Sequence, residues 1–245
     1  MPHNFLYSKT LIEEFLNSPN HTKAVKLYVN TKSQFSTKSK KIIKLARELK
    51  IPVVNTNFIR FQNINVGKDV TQLPLILEIS DFEYSSLETI EKNKGRLNII
   101  LLAYKVKDPR NLGAILRTSA AFGIKGVIIT SKDSSPVNET VINASRNANI
   151  LVHRTTNAFQ TALNLKSKGY KIYCLDTKAK KSLNDINDEI KNSKILLILG
   201  GEKGIEPKLK ELSEGIRIPI ENVESLNTSV ALGICLYYFY LKNNF

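Results

Sequence analysis

The sequence has few residues of the kinds that build disulfide frameworks and metal sites. Its 245 residues include two cysteines, Cys174 and Cys235, which are far apart and each lie in an apolar run. We expect them to be small buried apolar side chains. The three histidines, His3, His21 and His153, are scattered, and their spacing predicts no zinc site. The composition therefore predicts no metal and favours a reducing compartment.

Long apolar segments are also absent, since no stretch of the sequence is long and apolar enough to span a membrane. Residues 1–15 contain Glu13 and Glu14 and no apolar run, which argues against a secretory signal and against an acid-poor transit peptide. From these absences we expect a cytoplasmic protein with no membrane among its partners.

Positive charge is what the sequence has in excess. The 36 lysines and arginines outnumber the 22 aspartates and glutamates, which gives a formal net charge of +14 at pH 7. A basic surface attracts polyanions, so RNA, DNA or an anionic membrane are the candidate partners. The charge favours a nucleic acid over a merely solvated, lysine-rich surface.

The first third of the chain, residues 1–80, is predicted to form a small α/β unit. Apolar residues recur with helical spacing in two segments and in β-like patterns in three. The helices are predicted over 10–18 and 37–50, and the strands over 24–30, 51–55 and 73–80, with a polar loop before the last strand. Residues 81–96 are polar and charged, and we interpret them as a linker.

The predicted helix over 37–50 is basic as well as amphipathic, and Thr37 or Ser39 is expected to be its N-cap. Within this segment, the lysines and the arginine are accompanied by a single glutamate. Such a face neutralises phosphates in nucleic-acid-binding proteins, which makes Lys41 and Lys44 candidate substrate-binding residues. A solvated helix face explains the same pattern equally well.

Residues 97–245 alternate between apolar runs and helical patterns. The run at 97–104 is continuously apolar, as in a strand that is buried on both faces. Repeated β-α-β order predicts an α/β fold with a parallel sheet, whose ligands bind beyond the carboxyl ends of the strands. The further strands are predicted over 126–130, 149–155, 170–176, 195–200 and 215–220, and the helices over 110–122, 138–147, 157–168, 207–213 and 227–242.

The segment 108–123 directly follows the first of these strands. Pro109 suits the start of a helix and places Asn111 in its first turn. Arg117 lies nearly two turns further on, so the two side chains fall within about 120° of each other and can share one end of a site. A plain amphipathic helix with a surface arginine is the alternative.

The segment 195–207 carries a second candidate motif. A buried strand runs into Gly200 and Gly201, followed by Glu202 and Gly204. Glycines at the end of a strand let the backbone approach a ligand closely. The spacing is neither that of a Walker loop nor G-x-G-x-x-G, so a dinucleotide fold is poorly supported. A simple tight turn is the alternative.

The segment 217–239 carries the third. A short strand ends at Pro219, and a loop with Ser225, Leu226 and Asn227 leads into a very apolar helix. Either Ser225 or Asn227 suits the N-cap position of that helix. A helix that is apolar almost all round is buried in the core or in a subunit interface.

In this order and spacing, the three segments resemble the three motifs of the SpoU (TrmH-like) RNA 2′-O-ribose methyltransferases of the SPOUT superfamily. Segment 108–123 looks like the family's N-x5-R motif, and 195–207 is similar to its motif of a strand followed by glycines and a glutamate. Segment 217–239 looks like its I-P, loop, S-L-N-x-S motif. The resemblance covers about residues 97–242. Residues 1–80 look like the small L30e-like RNA-recognition domain that precedes many of these catalytic domains.

The resemblance implies a parallel sheet whose C-terminal segment is threaded into a trefoil knot, and S-adenosylmethionine as the cofactor. In relatives the cofactor lies in the knot and is held largely by backbone groups. Those positions correspond here to Leu199, Gly200, Ile218 and Leu226. Aliphatic residues at strand ends suit an adenine ring.

The resemblance also assigns catalytic roles to Asn111, Arg117, Glu202 and Asn227. A ribose hydroxyl must lose a proton as it attacks the methyl carbon. In the family, the counterpart of Arg117 is sometimes assigned the role of the base. A guanidinium stays protonated, so we favour a role for Arg117 in binding the adjacent phosphate. Asn111 is expected to orient the ribose or Arg117, and Glu202 to position these side chains or the loop. Ser225 and Asn227 are expected to line the acceptor pocket or fix the loops.

Members of the family are dimers, which implies a homodimer through the helix at 227–242, with Arg117 acting across the interface. RNA is the implied substrate, and the N-terminal domain suits ribosomal RNA better than tRNA. Two alternatives stay open. One is a catalytically silent RNA-binding or ribosome-assembly factor on the same fold, and the other is a SPOUT methyltransferase that modifies a base nitrogen. The presence of all four catalytic candidates argues against the first, and the match of Asn111 and Arg117 to the ribose-methylating group argues against the second.

Overall fold

The computed structural model describes residues 4–56, 73–186 and 193–244, without the side chain of Asn244. His3 and most of the predicted polar loop before residue 73 lie outside the described residues. The chain divides into two compact units, Met1–Phe82 and Glu83–Phe245.

The first unit, in its described part, combines two α-helices with a four-stranded sheet. Its elements are β1 (Asn4–Leu6), α1 (Lys9–Leu16), a 3₁₀ helix (Pro19–Lys23), β2 (Ala24–Asn30), α2 (Thr37–Glu48), β3 (Val53–Thr56) and β4 (Leu75–Ile79). The strand order is β1-β4-β2-β3; β4 is antiparallel to β1 and β2, and β2 is parallel to β3. Every element predicted over 1–80 is present. β1 was not predicted, because three residues are too few to show a period.

Helix α2 begins at Thr37, as predicted, but its N-cap differs from the predicted one. Its N-cap is Ser36, whose Oγ accepts a hydrogen bond from the backbone N–H of Ser39 over 3.3 Å. The predicted cap, Thr37 or Ser39, is therefore wrong. Thr37 is already the first helical residue, and Ser39 is fully buried.

The segment expected to be a linker, 81–96, contributes a helix to the second unit. This helix, α3 (Leu87–Lys92), begins at Ser86, whose Oγ accepts a hydrogen bond from the backbone N–H of Thr89 over 3.1 Å. Ile90 is fully buried, and it lies so close to β-strand backbone that a Cβ at Gly126 would be 2.9 Å from it. The polar composition thus reflects a largely exposed helix that is anchored by Ile90 and the partly buried Leu87.

The second unit contains a seven-stranded parallel sheet. Its strands are β5 (Leu97–Tyr104), β6 (Ile124–Thr130), β7 (Val152–Thr155), β8 (Lys171–Leu175), β9 (Lys181–Ser182), β10 (Ile195–Gly200) and β11 (Glu214–Arg217). Its further helices are α4 (Pro109–Ala121), α5 (Glu139–Ser145), α6 (Ala158–Ser167), a 3₁₀ helix (Leu183–Asp185), α7 (Pro207–Leu212) and α8 (Thr228–Asn244). The predicted α/β fold with a parallel sheet is confirmed.

The order of the strands, β7-β6-β5-β10-β8-β11-β9, places β5 and β10 side by side at the centre. From β5 the chain moves outward to β6 and β7, and it then crosses to build the other half of the sheet. Such a reversal of strand order leaves a crevice at the carboxyl ends of the strands, where ligands bind. β11 ends at Arg217 and not at residue 220 as predicted, since Pro219 has no N–H to donate to a neighbouring strand.

The C-terminal helix α8 is apolar on its inner and outer faces. Leu232, Cys235, Leu236 and Phe239 are fully buried. Cys235 and Cys174 are both free and buried, as predicted, and burial raises the pKa of both thiols. Within the described part of the chain, no helix has the length and apolar character needed to cross a membrane.

Candidate functional site

A pocket of about 370 Å³ lies at the carboxyl ends of β8, β10 and β11. Its walls come from the segments that follow these strands and from the start of α8. Of the described residues it is lined by Leu175, Asp176, Thr177, Leu199, Gly200, Gly201, Glu202, Gly204, Ile205, Lys210, Ile216, Arg217, Ile218, Ile220, Ser225, Leu226, Thr228 and Ala231. Its volume is within the range of small-molecule sites.

The four residues expected to hold a cofactor all line this pocket. Leu199 and Gly200 end β10, Ile218 follows β11, and Leu226 lies just before α8. Residues up to 27 positions apart in the sequence are thus brought together by the parallel arrangement of the strands. Ser225, expected to be a substrate-binding residue, lines the pocket as well.

A tight turn over Gly201–Gly204 forms one wall of the pocket. The backbone N–H of Gly201 donates to the carbonyl of Tyr104 over 2.8 Å, and that of Gly204 donates to the carbonyl of Gly201 over 2.9 Å. A Cβ at Gly201 would lie 2.2 Å from the carbonyl oxygen of Lys105, so the turn approaches β5 too closely for any side chain. The turn presents Glu202, a predicted catalytic residue, to the pocket.

Two charged residues that sequence reasoning missed face each other in the pocket. Lys210 on α7 donates a hydrogen bond from Nζ to Asp176 Oδ2 over 2.5 Å, and the backbone N–H of Lys178 donates to Asp176 Oδ1 over 3.1 Å. Burial favours a higher pKa for Asp176, but these hydrogen bonds outweigh it and lower the pKa below its ordinary value. The only signal in the sequence was the position of Asp176, directly after a buried strand.

The first and third motifs meet through their asparagines. Asn111 lies in the first turn of α4, which Asp108 caps by accepting a hydrogen bond from the backbone N–H of Arg110 over 2.8 Å. Asn227 donates from Nδ2 to Asn111 Oδ1 over 3.2 Å. Its own Oδ1 accepts from the backbone N–H of Ser229 over 2.9 Å, so Asn227 also caps α8.

Arg117 does not join this cluster. It lies in the second half of α4, and its side chain is exposed. The described residues that line the pocket do not include it. The neighbouring Thr118 faces α8 instead, at 3.8 Å from the Cβ position of Gly233. Within one chain, Glu202 is therefore the predicted catalytic residue that lines the pocket, Asn111 and Asn227 pair beside it, and Arg117 lies on an exposed helix surface.

Lys41 and Lys44 belong to the first unit. Both are exposed on α2, opposite the buried Ile42 and Ala46. Lys44 lies 3.7 Å from Glu48 Oε1, an exposed pair that contributes little to stability.

A pocket at the carboxyl ends of three neighbouring strands of a parallel α/β sheet is the arrangement in which such folds bind small molecules. The family model described as the SpoU rRNA Methylase family matches residues 98–237. The chain belongs to this family, whose members are methyltransferases that use S-adenosylmethionine.

Relatives in bacteria carry corresponding names. A protein of Borreliella burgdorferi named an uncharacterized tRNA/rRNA methyltransferase is 38% identical over 218 residues, which cover 82% of this chain and 92% of that protein. A 23S rRNA (guanosine-2′-O-)-methyltransferase, RlmB, of Xanthomonas campestris is 36% identical over 153 residues, 60% of each chain.

Solved structures share the fold. The SpoU methyltransferase AviRb from Streptomyces viridochromogenes, in complex with S-adenosylmethionine, aligns with a TM-score of 0.73 at 14% identity, covering 97% of this chain and 89% of that one. An S-adenosylmethionine-bound rRNA methyltransferase from Sinorhizobium meliloti aligns with a TM-score of 0.71 at 18% identity, covering 98% and 87%.

Proposed function

We propose that this chain is an S-adenosylmethionine-dependent methyltransferase that modifies the 2′-hydroxyl of a ribose in RNA. The observation that carries the proposal is the pocket at the ends of β8, β10 and β11. All four residues expected to bind the cofactor line it, and the Asn111–Asn227 hydrogen bond lies beside it, one residue from Leu226 and Thr228 of the lining.

The lining suits the parts of this cofactor. Leu199, Ile218 and Leu226 supply apolar contacts for an adenine, and the glycines of β10 and the following turn expose backbone groups to it. Asp176 and Lys210 supply opposite charges for the polar ribose and amino-acid groups. The bound cofactor supplies an activated methyl group for transfer.

Binding of the acceptor falls to the polar residues of the motifs. Asn111 and Asn227 hold each other in place and offer amide groups to a ribose. Glu202 positions the loop at the pocket wall. Arg117 grips the phosphate next to the reacting ribose and orients the hydroxyl for in-line attack, a role that needs no change in its charge.

A homodimer accounts for the position of Arg117. Val230, Ile234 and Tyr237 are 50%, 39% and 54% exposed and follow one another at helical spacing on the outer face of α8. A second copy that covers this face brings its own Arg117 towards the pocket, because α4 packs beside α8. We further propose that the segments around the pocket form the trefoil knot of the SPOUT superfamily.

Ribosomal RNA is the substrate we favour. The name of the Xanthomonas campestris relative, which specifies a 2′-O-methylated guanosine of 23S rRNA, supports both the RNA and the ribose position. The exposed basic face of α2, with Lys41 and Lys44, supports an RNA-binding role for residues 1–80, which we assign to an L30e-like domain.

One experiment tests the reaction and the atom that is modified. Purified protein is incubated with methyl-labelled S-adenosylmethionine and either ribosomal RNA or tRNA, and the RNA is digested to nucleosides for mass spectrometry. We expect label in a 2′-O-methylated nucleoside from ribosomal RNA, and its loss with Arg117→Ala. Label on a base would contradict the ribose assignment. RNA binding without cofactor affinity would indicate a catalytically silent binding factor.

A further inference from the structure

A second pocket, of about 340 Å³, lies at the ends of β5 and β10 beside the first. No motif of the sequence predicted it. Its described lining is Tyr104, Lys105, Lys107, Asp133, Lys203, Gly204, Ile205, Glu206 and Pro207. Gly204 and Ile205 line both pockets, so the turn after β10 is the wall between them.

The charges of this second pocket leave one cation uncompensated. Lys105 Nζ lies 4.0 Å from Glu206 Oε2, and Lys107 Nζ lies 3.6 Å from Asp133 Oδ1. Lys203 has no carboxylate partner in the part of the chain that the structure describes. Three lysines against two carboxylates leave one positive charge, which matches the single negative charge of a phosphodiester better than the roughly −1.5 to −2 of a phosphate monoester.

The carboxylate of Glu206 is already engaged by Tyr104 and Lys105. Tyr104 donates its hydroxyl to Glu206 Oε2 over 2.6 Å. Burial and this hydrogen bond raise the pKa of Tyr104, so the hydroxyl keeps its proton at neutral pH. The hydrogen bond that Lys105 donates to the Tyr104 oxygen raises the pKa of Lys105, which therefore stays charged beside Glu206.

The two pockets are close enough to serve one nucleotide. Gly200, in the first pocket, and Tyr104, in the second, are paired residues on adjacent strands, which lie about 4.8 Å apart. Glu202 and Lys203, the central residues of one turn, face the first and the second pocket respectively. In a ribonucleotide the 2′-hydroxyl and the 3′-phosphodiester are on neighbouring carbons, so an acceptor ribose that lies next to the cofactor, at the edge of the first pocket, places its 3′-phosphate near the second.

We infer that the second pocket is an RNA phosphodiester site, in which Lys203 binds the phosphate on the 3′ side of the reacting ribose, in addition to the contact proposed for Arg117, and Lys107 supports it. This inference rests on the proposed function. It assigns the turn a double role, because the same four residues separate the cofactor from the phosphate and set the distance between them.

The test compares Lys203→Glu with Lys194→Glu. Lys194 lies at the opposite end of β10 and lines neither pocket, so the control makes the same charge change far from the site. The probe is a fluorescein-labelled oligouridylate 12-mer, whose binding is measured by anisotropy at several salt concentrations. Log K falls as log salt rises. We expect Lys203→Glu to make this slope shallower by about 0.7 or more, and Lys194→Glu to change it much less.

Kinetics with ribosomal RNA separate binding from folding. We expect Lys203→Glu to raise the KM for RNA about tenfold, with the affinity for S-adenosylhomocysteine unchanged, and Lys203→Arg to restore the wild-type KM. Equal effects of the two glutamate variants on the salt slope would overturn the inference. So would a normal KM for Lys203→Glu in a protein that methylates RNA. Failure of the wild-type protein to methylate RNA would instead contradict the proposed function, and the anisotropy result would still decide whether the phosphate site exists.

Discussion

Asn227 donates a hydrogen bond to Asn111 across 3.2 Å and thereby joins two helix starts that are 116 residues apart in the sequence. The same Asn227 accepts hydrogen bonds from the backbone N–H and the hydroxyl of Ser229. One side chain therefore caps α8 and fixes the amide of Asn111 beside the pocket. Because the two roles use different atoms, substitutions can separate them.

Asn227→Asp keeps the acceptor that caps α8 but replaces the amide donor that faces Asn111. We expect its unfolding temperature to stay within a few degrees of wild type, while methyl transfer falls at least tenfold. Asn227→Ala removes both roles and is expected to lose about 1 kcal/mol of stability as well. Thermal unfolding and initial rates, measured on the same preparations, distinguish the two variants. Wild-type rates for Asn227→Asp would show that the bridge to Asn111 has no part in the reaction.

Arg117 is predicted to act on the partner's pocket, and mixed dimers test this. Arg117→Ala has an intact pocket but no arginine, whereas Leu226→Arg has the arginine but a blocked pocket. Each variant alone is expected to be inactive. After co-refolding, half of the dimers contain both chains, and one of their two sites is complete, so about a quarter of wild-type activity returns. No recovery in verified mixed dimers would place Arg117 and the pocket of one chain in the same site.

The ion pair between Asp176 and Lys210 is predicted to hold the cofactor. Asp176→Asn and Lys210→Met should each weaken S-adenosylhomocysteine binding about tenfold in calorimetry, and the double variant by less than the product, because the two charges act as a unit. Lys208→Met, on the same helix but outside the pocket, is the matched control. An unchanged affinity for S-adenosylhomocysteine in Asp176→Asn would show that the pair does not contribute to cofactor binding.

The pH dependence of this pair follows from the lowered pKa of Asp176. A carboxylate whose pKa is lower in the folded protein than its ordinary value of 3.8 stabilises the fold above that value, and the stabilisation is lost as the pH falls through the folded pKa. Asp176 is therefore fully ionised at neutral pH. We expect its contribution to cofactor affinity to be constant between about pH 5.5 and 8, and to be lost only in acid. A decline near pH 6.5 that is absent from Asp176→Asn would contradict this.

The residues that the family resemblance assigns to the cofactor belong to motifs with local signatures. Leu199, Gly200 and Leu226 were placed by short motifs at strand and helix ends, and the structure brings them into one pocket. Lys210 was missed because its partner lies 34 residues away and a lysine within a helix has no distinctive pattern. The second pocket was missed for the same reason, since it is formed by segments that only the strand order brings together.

The secondary-structure predictions likewise succeeded where the sequence signal is local. The long apolar runs of β5 and β10 were predicted within a residue, because burial on both faces dictates their composition. The two-residue strand β9 was not predicted, because it depends on pairing with β11, and the helix α3 was not predicted, because it depends on packing of Ile90 and Leu87 against the core. Such contacts are tertiary and leave no period in the sequence.

Gly201 is predicted to tolerate no side chain. Gly201→Ala places a methyl group 2.2 Å from the carbonyl oxygen of Lys105, so the turn or the end of β5 must move. We expect a loss of about 1–3 kcal/mol in unfolding free energy and a larger loss of cofactor affinity. Gly233→Ala is the control, because its added methyl would meet Thr118 at an ordinary distance of 3.8 Å. Alanine also has a higher helix propensity than glycine. Similar stability in the two variants would show that the turn is not fixed by this contact.

The outer face of α8 is predicted to be the dimer interface, and charge is the sharpest way to break it. Ile234→Glu puts a carboxylate into the centre of the exposed stripe formed with Val230 and Tyr237. A buried, unpaired charge costs several kcal/mol, so we expect a monomer in sedimentation at micromolar concentration and a loss of methyl transfer.

Leu163→Glu is the control, since Leu163 is 40% exposed on α6, away from this face. The Ile234→Glu monomer should still bind S-adenosylhomocysteine, because the residues expected to bind the cofactor all come from one chain. A stable dimer of Ile234→Glu would refute this interface, and an active monomer would show that no partner supplies Arg117.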